Sequence, residues 1–349
     1  MTAYGFRLHK ITAHAGLSRP ELDLSNVGGD SASQSAIDVL KDRLDTLAGT
    51  TIVGSPTYAQ HPSDLTPSGP AALPRNTTRP YMHVRFVTRS GRRIKVTLDY
   101  GREGDYNTLL DNSGAPRPMD GMAASRTYRV WFLVPPAGTV AYMVSEVKGQ
   151  SFAGEALLDR LRVENQRAAC AVQGGDLQVG HFVRWKHEPL FDGSRINDIF
   201  NGADNFEIEL RRVGHTRTGA PSSGDVKITE YGLDSAARVQ QAVNAVRGWW
   251  QNRANGTKQA RSEQAARDLG TLIDLNVDFA QLGFNDGEIR FTQEGKVQRI
   301  NPNKIEKLYV YPVGTSLPSD RDLTSKAAAR LDNVNRDLSL SIDLSDLTH

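Results

Sequence analysis

The sequence predicts an α+β protein with a mixed or antiparallel central sheet and a C-terminal part richer in helix. Two observations support this fold class. Several neighbouring segments alternate apolar and polar residues, the pattern of half-buried strands. These strands come in groups and do not alternate regularly with helices. At 349 residues, the chain is long enough for about two domains.

The composition is that of an ordinary globular protein, with 38% hydrophobic and 23% charged residues. The net charge is +2, so any electrostatic case for a nucleic-acid partner must be local. The single cysteine, Cys170, excludes an intramolecular disulfide and a Cys-rich zinc site. The first residues lack an apolar run typical of a signal peptide, and no stretch approaches the roughly 20 apolar residues of a membrane span. We therefore expect a cytoplasmic protein without membrane association, and the Arg, Ala, Gly and Asp bias is typical of a GC-rich bacterium.

The chain divides by pattern into four regions. Residues 1–53 predict a strand and then a helix, capped by Asp30 or Ser31, with apolar positions at helical spacing. Residues 54–80 contain six prolines and predict a surface loop or linker. Residues 81–213 predict an α+β core domain with two hairpins, and residues 226–349 a helical and hairpin region.

The first hairpin is basic. Met82, Val84 and Phe86 alternate with polar residues, as do Ile94, Val96 and Leu98 on the returning strand, which predicts one apolar face. Between residues 79 and 95 there are six basic residues and no acidic one: Arg79, Arg85, Arg89, Arg92, Arg93 and Lys95. We expect these charges on the outer face and the turn, where a basic ribbon can contact nucleic-acid phosphates. The alternative is a positive face that is only solvated.

The second hairpin, 129–147, carries a Glu-x-Lys at its exit. Its first strand, RVWFLV, is apolar on both faces, as expected for a central strand covered on both sides. Glu146 and Lys148 share one face of the second strand, so a carboxylate could hold a divalent cation beside a lysine that polarises water.

The segment YMVSEVKGQS resembles the second half of the motif in restriction-endonuclease-like nucleases, over about twenty residues. The resemblance implies Glu146 and Lys148 as catalytic residues with Mg²⁺, and an aspartate on the preceding strand. That strand contains no acid, and Asp99, Asp105 or Asp120 could replace it only through an unusual connection. The competing interpretation is that Glu146 and Lys148 leave the core and are solvated, either singly or as a pair. Their replacement would then have little effect on stability.

A second basic and aromatic group lies in the helical region 233–270. Trp249 and Trp250, followed by Arg253, could stack on exposed bases. Adjacent side chains on a helix point about 100° apart, however, so we expect at least one of these rings in the core.

Other chemistry is sparsely indicated. No phosphate-binding glycine motif is present, and Ser151 is expected to cap the helix that follows it. The eight histidines are scattered, and His181 and His187 have no acidic or cysteine partner at ligand spacing. We therefore expect no zinc site. We also expect no cofactor, except Mg²⁺ if the protein is a nuclease.

The sequence therefore favours a binding protein over an enzyme. We expect a cytoplasmic, bacterial, nucleic-acid-associated (DNA- or RNA-binding) protein that belongs to a larger assembly such as an anti-phage or mobile-element system. The binding residues would be Arg85, Arg89, Arg92, Arg93, Lys95, Trp249, Trp250 and Arg253. One alternative is a divalent-metal nuclease. The other is a structural or scaffolding subunit, in which a protein partner or a second copy of the chain binds the Trp pair and the charged tail from Ser319 onward.

Overall fold

The computed structural model of the chain describes residues 4–28, 33–65, 79–103, 108–110, 116–118, 123–190, 192–203, 205–212, 226–231, 236–253, 255–273, 283–293 and 296–338. These residues form two compact units. The first unit contains the described residues up to 190 and those from 311 to 335, and the second contains those from 192 to 310 and from 336 to 338.

The strands are β1 (Tyr4–Ala15), β2 (Thr51–Val53), β3 (Arg79–Ser90), β4 (Arg93–Glu103), β5 (Thr108–Leu110), β6 (Pro116–Pro118), β7 (Ala123–Leu133), β8 (Val140–Lys148), β9 (Ser151–Phe152), β10 (Cys170–Gln173), β11 (Asp176–Val179), β12 (Val183–Pro189), β13 (Asn205–Arg212), β14 (Val226–Tyr231), β15 (Asp286–Gln293), β16 (Lys296–Ile300) and β17 (Tyr311–Gly314). The α-helices are α1 (Ala36–Leu47), α2 (Gly154–Ala169), α3 (Gly193–Asn201), α4 (Ala236–Gln251), α5 (Lys258–Gly270) and α6 (Asp320–Leu338).

The first unit is built on an antiparallel sheet in the order β12-β1-β8-β7-β4-β3-β2, with β17 also paired to β1 and β9 paired to β8. The N-terminal strand β1 therefore lies inside the sheet, between β8 on one side and β12 and β17 on the other. This architecture confirms the predicted α+β class and decides for an antiparallel central sheet.

Helices cover this sheet on both faces. On one face Val130 and Phe132 of β7 pack in a core with residues of α1 and α2. On the other face Trp131 and Leu133 pack in a core with residues of α6. The run of β7 from Val130 to Leu133 is apolar because its residues alternate between two covered faces, as expected from the sequence.

The first hairpin departs from simple alternation. The register of β3 against β4 shifts between Val84 and Phe86, so a bulge places Phe86 opposite Thr97 and Val87 opposite Val96. Val87 then packs against the core, while Phe86 is 64% exposed. The expectation that Phe86 faces inward was wrong, because the extra residue of a bulge reverses the side-chain alternation after it.

The helix caps also differ from the sequence prediction. The N-cap of α1 is Ser35, whose side chain accepts a hydrogen bond from the backbone N–H of Asp38; Asp30 and Ser31 lie outside the described residues. Ser151 belongs to β9, and α2 begins after Ala153 without a side-chain cap. Its first residue, Gly154, instead donates its backbone N–H to the hydroxyl of Ser145 on β8 (3.1 Å).

The proline-rich region predicted as a loop or linker is described only up to residue 65 and from 79, and residues 66–78 lie outside the described part. Its first half is held against α2. The backbone N–H of Ala59 donates to the amide oxygen of Gln166, and the Gln166 amide donates to the carbonyl of Ala59, both at 3.0 Å. These bonds satisfy the backbone N–H and C=O groups of Ala59, which is buried outside regular secondary structure.

The second unit contains a smaller antiparallel sheet in the order β14-β13-β15-β16. One face of this sheet packs against α3, α4, α5 and a 3-10 helix, Pro302–Tyr309. Strand β13, which the sequence pattern grouped with the preceding hairpins, is a central strand here. The 3-10 helix ends at Tyr309, and β17 begins at Tyr311. Among the described helices, none is both long enough and apolar enough to cross a membrane.

The close approach of α2 to β8 gives a test of the packing. A Cβ added at Gly154 would lie 2.8 Å from Ser145 Oγ and 2.9 Å from Met143 Sδ. We expect Gly154→Ala to lower the free energy of unfolding of the first unit by about 1–3 kcal/mol, the usual cost of overpacking. Urea unfolding monitored by circular dichroism measures it.

Gly248 provides the matched control, since it lies inside α4 and an added Cβ would meet no atom within 4 Å. Gly248→Ala should raise the stability of the second unit by about 0.5–1 kcal/mol through helix propensity. An unchanged or raised stability for Gly154→Ala would show that α2 does not approach β8 this closely.

Candidate functional site

The Glu-x-Lys of β8 forms a buried ion cluster with the neighbouring strand. Glu146 is fully buried. Arg129 of β7 donates to both of its carboxylate oxygens, with Nη2 2.8 Å from Oε1 and Nε 3.0 Å from Oε2. The backbone N–H of Arg129 also donates to Oε2 at 3.0 Å, and Lys148 Nζ lies 3.7 Å from Oε1.

The same arginine connects this cluster to α6. Its Nη1 donates to Asp320 in the first turn of α6 (2.8 Å), and its Nη2 to the carbonyl of Pro318 (2.9 Å). Lys95 of β4 forms an ion pair with the other oxygen of Asp320. Four elements, β4, β7, β8 and α6, are thus joined by alternating positive and negative side chains.

This arrangement corrects the expectation that Glu146 is solvated. Glu146 does not leave the core to be solvated, although its pairing with Lys148 is present. Its carboxylate oxygens are already occupied by guanidinium and amide hydrogens, so the pair does not form an open metal site. Asp99 does not complete one either, since it is bonded to Arg85 and Thr127; Asp105 and Asp120 lie outside the described residues.

Most cations of the basic hairpin are engaged by the protein itself. Arg85 donates to Asp99 (2.7 Å), and Arg89 to Asp38 of α1 (2.6 Å). Arg92 donates to the backbone carbonyls of Val134 and Pro135. With Lys95 on Asp320, the charges are divided between the α1 face and the α6 face. They do not gather on one outer face, because the bulge in β3 and the turn direct neighbouring side chains to different layers.

The tryptophan pair lies in the core of the second unit. Trp249 and Trp250 are 3% and 4% exposed. Trp249 Nε1 donates to Asp268 (2.7 Å), and the Trp250 ring contacts Tyr309 with its centroid 4.1 Å away. The guanidinium of Arg253 lies 4.3 Å from the Trp250 ring centroid. The expectation that at least one ring is core is confirmed for both, and neither presents a face on which a base could stack.

Folding brings together a cluster that the sequence did not indicate. His9 of β1, His187 of β12 and Glu155 in the first turn of α2 each offer one ligand atom, and these atoms lie within 4.8 Å of one another. His9 Nε2 is 3.0 Å from Glu155 Oε1, and Arg7 Nη1 is 3.9 Å from the same oxygen. No spacing rule could have found this cluster, since its members are separated by 146 and 32 residues.

Burial and pairing influence the two linked groups in opposite ways. Desolvation is the largest effect on His9, and it lowers the pKa of the imidazole despite the hydrogen bond to Glu155. Desolvation alone would raise the pKa of Glu155, but the hydrogen bond and the nearby positive groups outweigh it and lower that pKa. The pair is therefore a neutral imidazole beside a carboxylate at neutral pH.

Beside this cluster the first unit has an open cleft of about 620 Å³. The face of the sheet that α2 covers supplies the floor, with Tyr100, Arg102, Arg126 and Tyr128 from β4 and β7; Ser151, Phe152 and Glu155 form the opposite wall. Arg102 and Arg126 are both exposed. Within the described part of the chain, neither guanidinium is paired with a carboxylate.

Comparison with protein-family models, with curated proteins and with solved structures gave no match. Function is therefore inferred from the geometry of this chain.

The Glu146 cluster predicts a large stability effect. We expect Glu146→Ala to lower the free energy of unfolding by about 3–5 kcal/mol, because it leaves the buried side of Arg129 without its anion. Lys41→Ala, which removes an exposed ion pair with Asp45 within α1, should cost about 0.5 kcal/mol or less. Equal losses for the two variants in urea unfolding would contradict the buried cluster.

Asp320 predicts a pH dependence. Partial burial acts to raise the pKa of Asp320, but the hydrogen bonds and charges of Lys95 and Arg129 outweigh it, so the folded-state pKa is lowered. A lowered pKa stabilises the fold above the unfolded-state value of about 3.9, and this stabilisation is lost as the pH falls through the folded-state value.

Asp320→Asn should therefore be less stable than the wild type at pH 7, by roughly 1 kcal/mol because the side chain is half exposed, and this difference should vanish in acid. Urea unfolding at a series of pH values measures it. Asp42→Asn, an exposed carboxylate on α1, should show no such convergence. A difference that stays constant with pH for Asp320→Asn would exclude the ion pair as its cause.

Proposed function

We propose that the protein binds single-stranded nucleic acid in the cleft of the first unit. The observation that supports this proposal most strongly is the pair of exposed cations, Arg102 on β4 and Arg126 on β7, on the same face of two hydrogen-bonded strands. Arg126 lies opposite Tyr100 in the register, and Arg102 is two residues after Tyr100 on the same strand, so both arginines share one face with this aromatic residue.

The charges of the cleft do not cancel. Its two carboxylates each have a basic partner, since Glu155 is next to His9 and Arg7, and Asp159 lies 3.3 Å from Arg162. Arg102 and Arg126 have no such acidic partner among the described residues. Among the described residues, the cleft therefore has two uncompensated positive charges, which favour an anionic ligand.

The other lining groups suit a nucleotide chain. Tyr100 is partly exposed and meets Tyr128 edge-to-face, with ring centroids 6.5 Å apart. The hydroxyls of Ser125 and Ser151 and the amide of Gln150 add hydrogen-bonding groups. Single-stranded nucleic acid is bound by this combination of a positive groove and an aromatic ring on which a base stacks. A cleft of about 620 Å³ has the size of a small-ligand pocket, so it suits unpaired nucleotides more than a duplex.

The cleft is a better candidate than the basic hairpin. Phosphate binding by Arg89 or Lys95 would have to break an ion pair with Asp38 or Asp320, whereas Arg102 and Arg126 have none to break. The hairpin remains the competing site within the same function, and variants distinguish the two.

The experiment measures binding of a labelled mixed-sequence oligonucleotide by fluorescence anisotropy over a series of salt concentrations. We expect Arg102→Ala/Arg126→Ala to weaken binding of the single strand at least about tenfold, since charge-assisted hydrogen bonds contribute roughly 1.5–3 kcal/mol each. The slope of log K against log salt should fall by roughly 1.4, the value for two phosphate contacts on a single strand. DNA and RNA strands and a duplex are compared in parallel.

Two control variants remove the same or more charge elsewhere in the first unit. Arg19→Ala/Lys186→Ala removes two exposed cations away from the cleft and should leave affinity nearly unchanged. Arg89→Ala/Arg92→Ala/Arg93→Ala tests the hairpin. Loss of binding in the hairpin variant with normal binding in the cleft variant would move the site to the hairpin, and no binding by the wild type would overturn the proposal.

A further inference from the structure

We propose that His9, Glu155 and His187 bind a divalent transition-metal ion, most favourably Zn²⁺, at the inner wall of the cleft. Two imidazoles and one carboxylate are the protein ligands of a known class of zinc site that keeps a position open for water or substrate. This proposal does not depend on nucleic-acid binding, since it concerns the ligand set alone.

The ligand atoms are close to the required separation. On a tetrahedral ion with bonds of 2.0–2.1 Å, neighbouring ligand atoms are about 3.3 Å apart. His9 Nε2 and Glu155 Oε1 are already 3.0 Å apart, and the widest separation within the cluster does not exceed 4.8 Å. A side-chain movement on the order of 1 Å at His187 or Glu155 would close the site.

The two imidazoles lie side by side. Their rings meet edge-to-face with centroids 5.9 Å apart. Because His9 Nε2 already contacts Glu155 Oε1, a metal between these groups would be held through Nε2. His9 Nδ1, which has no hydrogen-bond partner among the described residues, would then stay on the far side of the ring.

The scaffold holds the three residues in place from separate elements. His9 is fully buried on an inner strand, and His187 lies on the adjacent strand β12, opposite Ile11 of β1. Glu155 is fixed by the start of α2, where Gly154 is bonded to Ser145 of β8. Since Glu155 also lines the cleft and its side chain is 32% exposed, an open coordination position would face the cleft.

The ligand types select the ion. Imidazole suits Zn²⁺ and other late divalent transition metals, whereas Mg²⁺ and Ca²⁺ prefer sites made of oxygen atoms. Arg7 acts against any cation, because its guanidinium lies 3.9 Å from Glu155 Oε1 and over the Phe152 ring at 4.1 Å. Removing this charge should therefore strengthen metal binding, an effect that a purely structural ion pair does not predict.

The experiment uses the full chain, stripped of metal with a chelator, and titrates it with Co²⁺ while the visible absorption of the bound ion is followed; Zn²⁺ then competes for the site. We expect one Co²⁺ bound per chain with a tetrahedral-type spectrum, displaced by Zn²⁺ and unaffected by excess Mg²⁺. His187→Gln and Glu155→Gln should each weaken binding by more than about tenfold, and Arg7→Gln should strengthen it. Thermal unfolding with and without Zn²⁺ reports binding without the chromophore.

Matched controls are available for both ligand types. Glu164→Gln alters a second glutamate of α2 whose side chain is equally exposed at 32%, and His83→Gln alters a histidine of β3 bonded to Thr51. Both should bind Co²⁺ like the wild type. The proposal would be overturned if the folded wild-type chain did not retain Co²⁺ or Zn²⁺. It would also be overturned if His187→Gln and Glu155→Gln retained the metal as well as the wild type does.

Discussion

The pairing of β1 inside the large sheet is the constraint on which the first unit depends. Residues 4–15 hydrogen-bond to β8 on one side and to β12 and β17 on the other, so segments from both ends and the middle of the chain meet on one strand. Both faces of β1 are consequently buried, with Leu8 under α6 and Ile11 under α1 and α2. Contacts this distant in sequence offset the entropy lost on loop closure only when the whole sheet forms. The candidate sites on the sheet therefore exist only in the complete unit.

The buried ion cluster around Glu146 and Arg129 has a structural role. Burying two charges costs several kcal/mol per ion, and Arg129 offsets that cost with paired hydrogen bonds to Glu146 and further bonds to Asp320 and the carbonyl of Pro318. Because these bonds are directional, they fix where α6 begins over the sheet, which apolar contacts alone would specify less strictly. The Glu-x-Lys at the end of β8 thus takes part in the docking of α6 through Arg129.

The two faces of the sheet differ in what they leave unpaired. On the α6 face, the cluster that joins Glu146, Arg129, Asp320 and Lys95 places each charge beside an opposite one. On the α2 face, Arg102 and Arg126 remain exposed, and the cluster of His9, Glu155 and His187 contains imidazole nitrogens without partners. These exposed cations and this set of possible metal ligands are the features on which the proposed binding site and metal site are based.

By itself, the sequence determined the α+β class, the two hairpins, the burial of both faces of β7 and the buried position of at least one of Trp249 and Trp250. Each of these follows from local periodicity, which acts over a few neighbouring residues. Tertiary structure alone decided that Phe86 turns outward at a bulge, that Glu146 is buried and joined through Arg129 to Asp320 of α6, and that His9, Glu155 and His187 meet. Side-chain partners separated by more than a hundred residues leave no trace in local spacing, because strand order and helix docking, rather than periodicity, determine which of them come into contact.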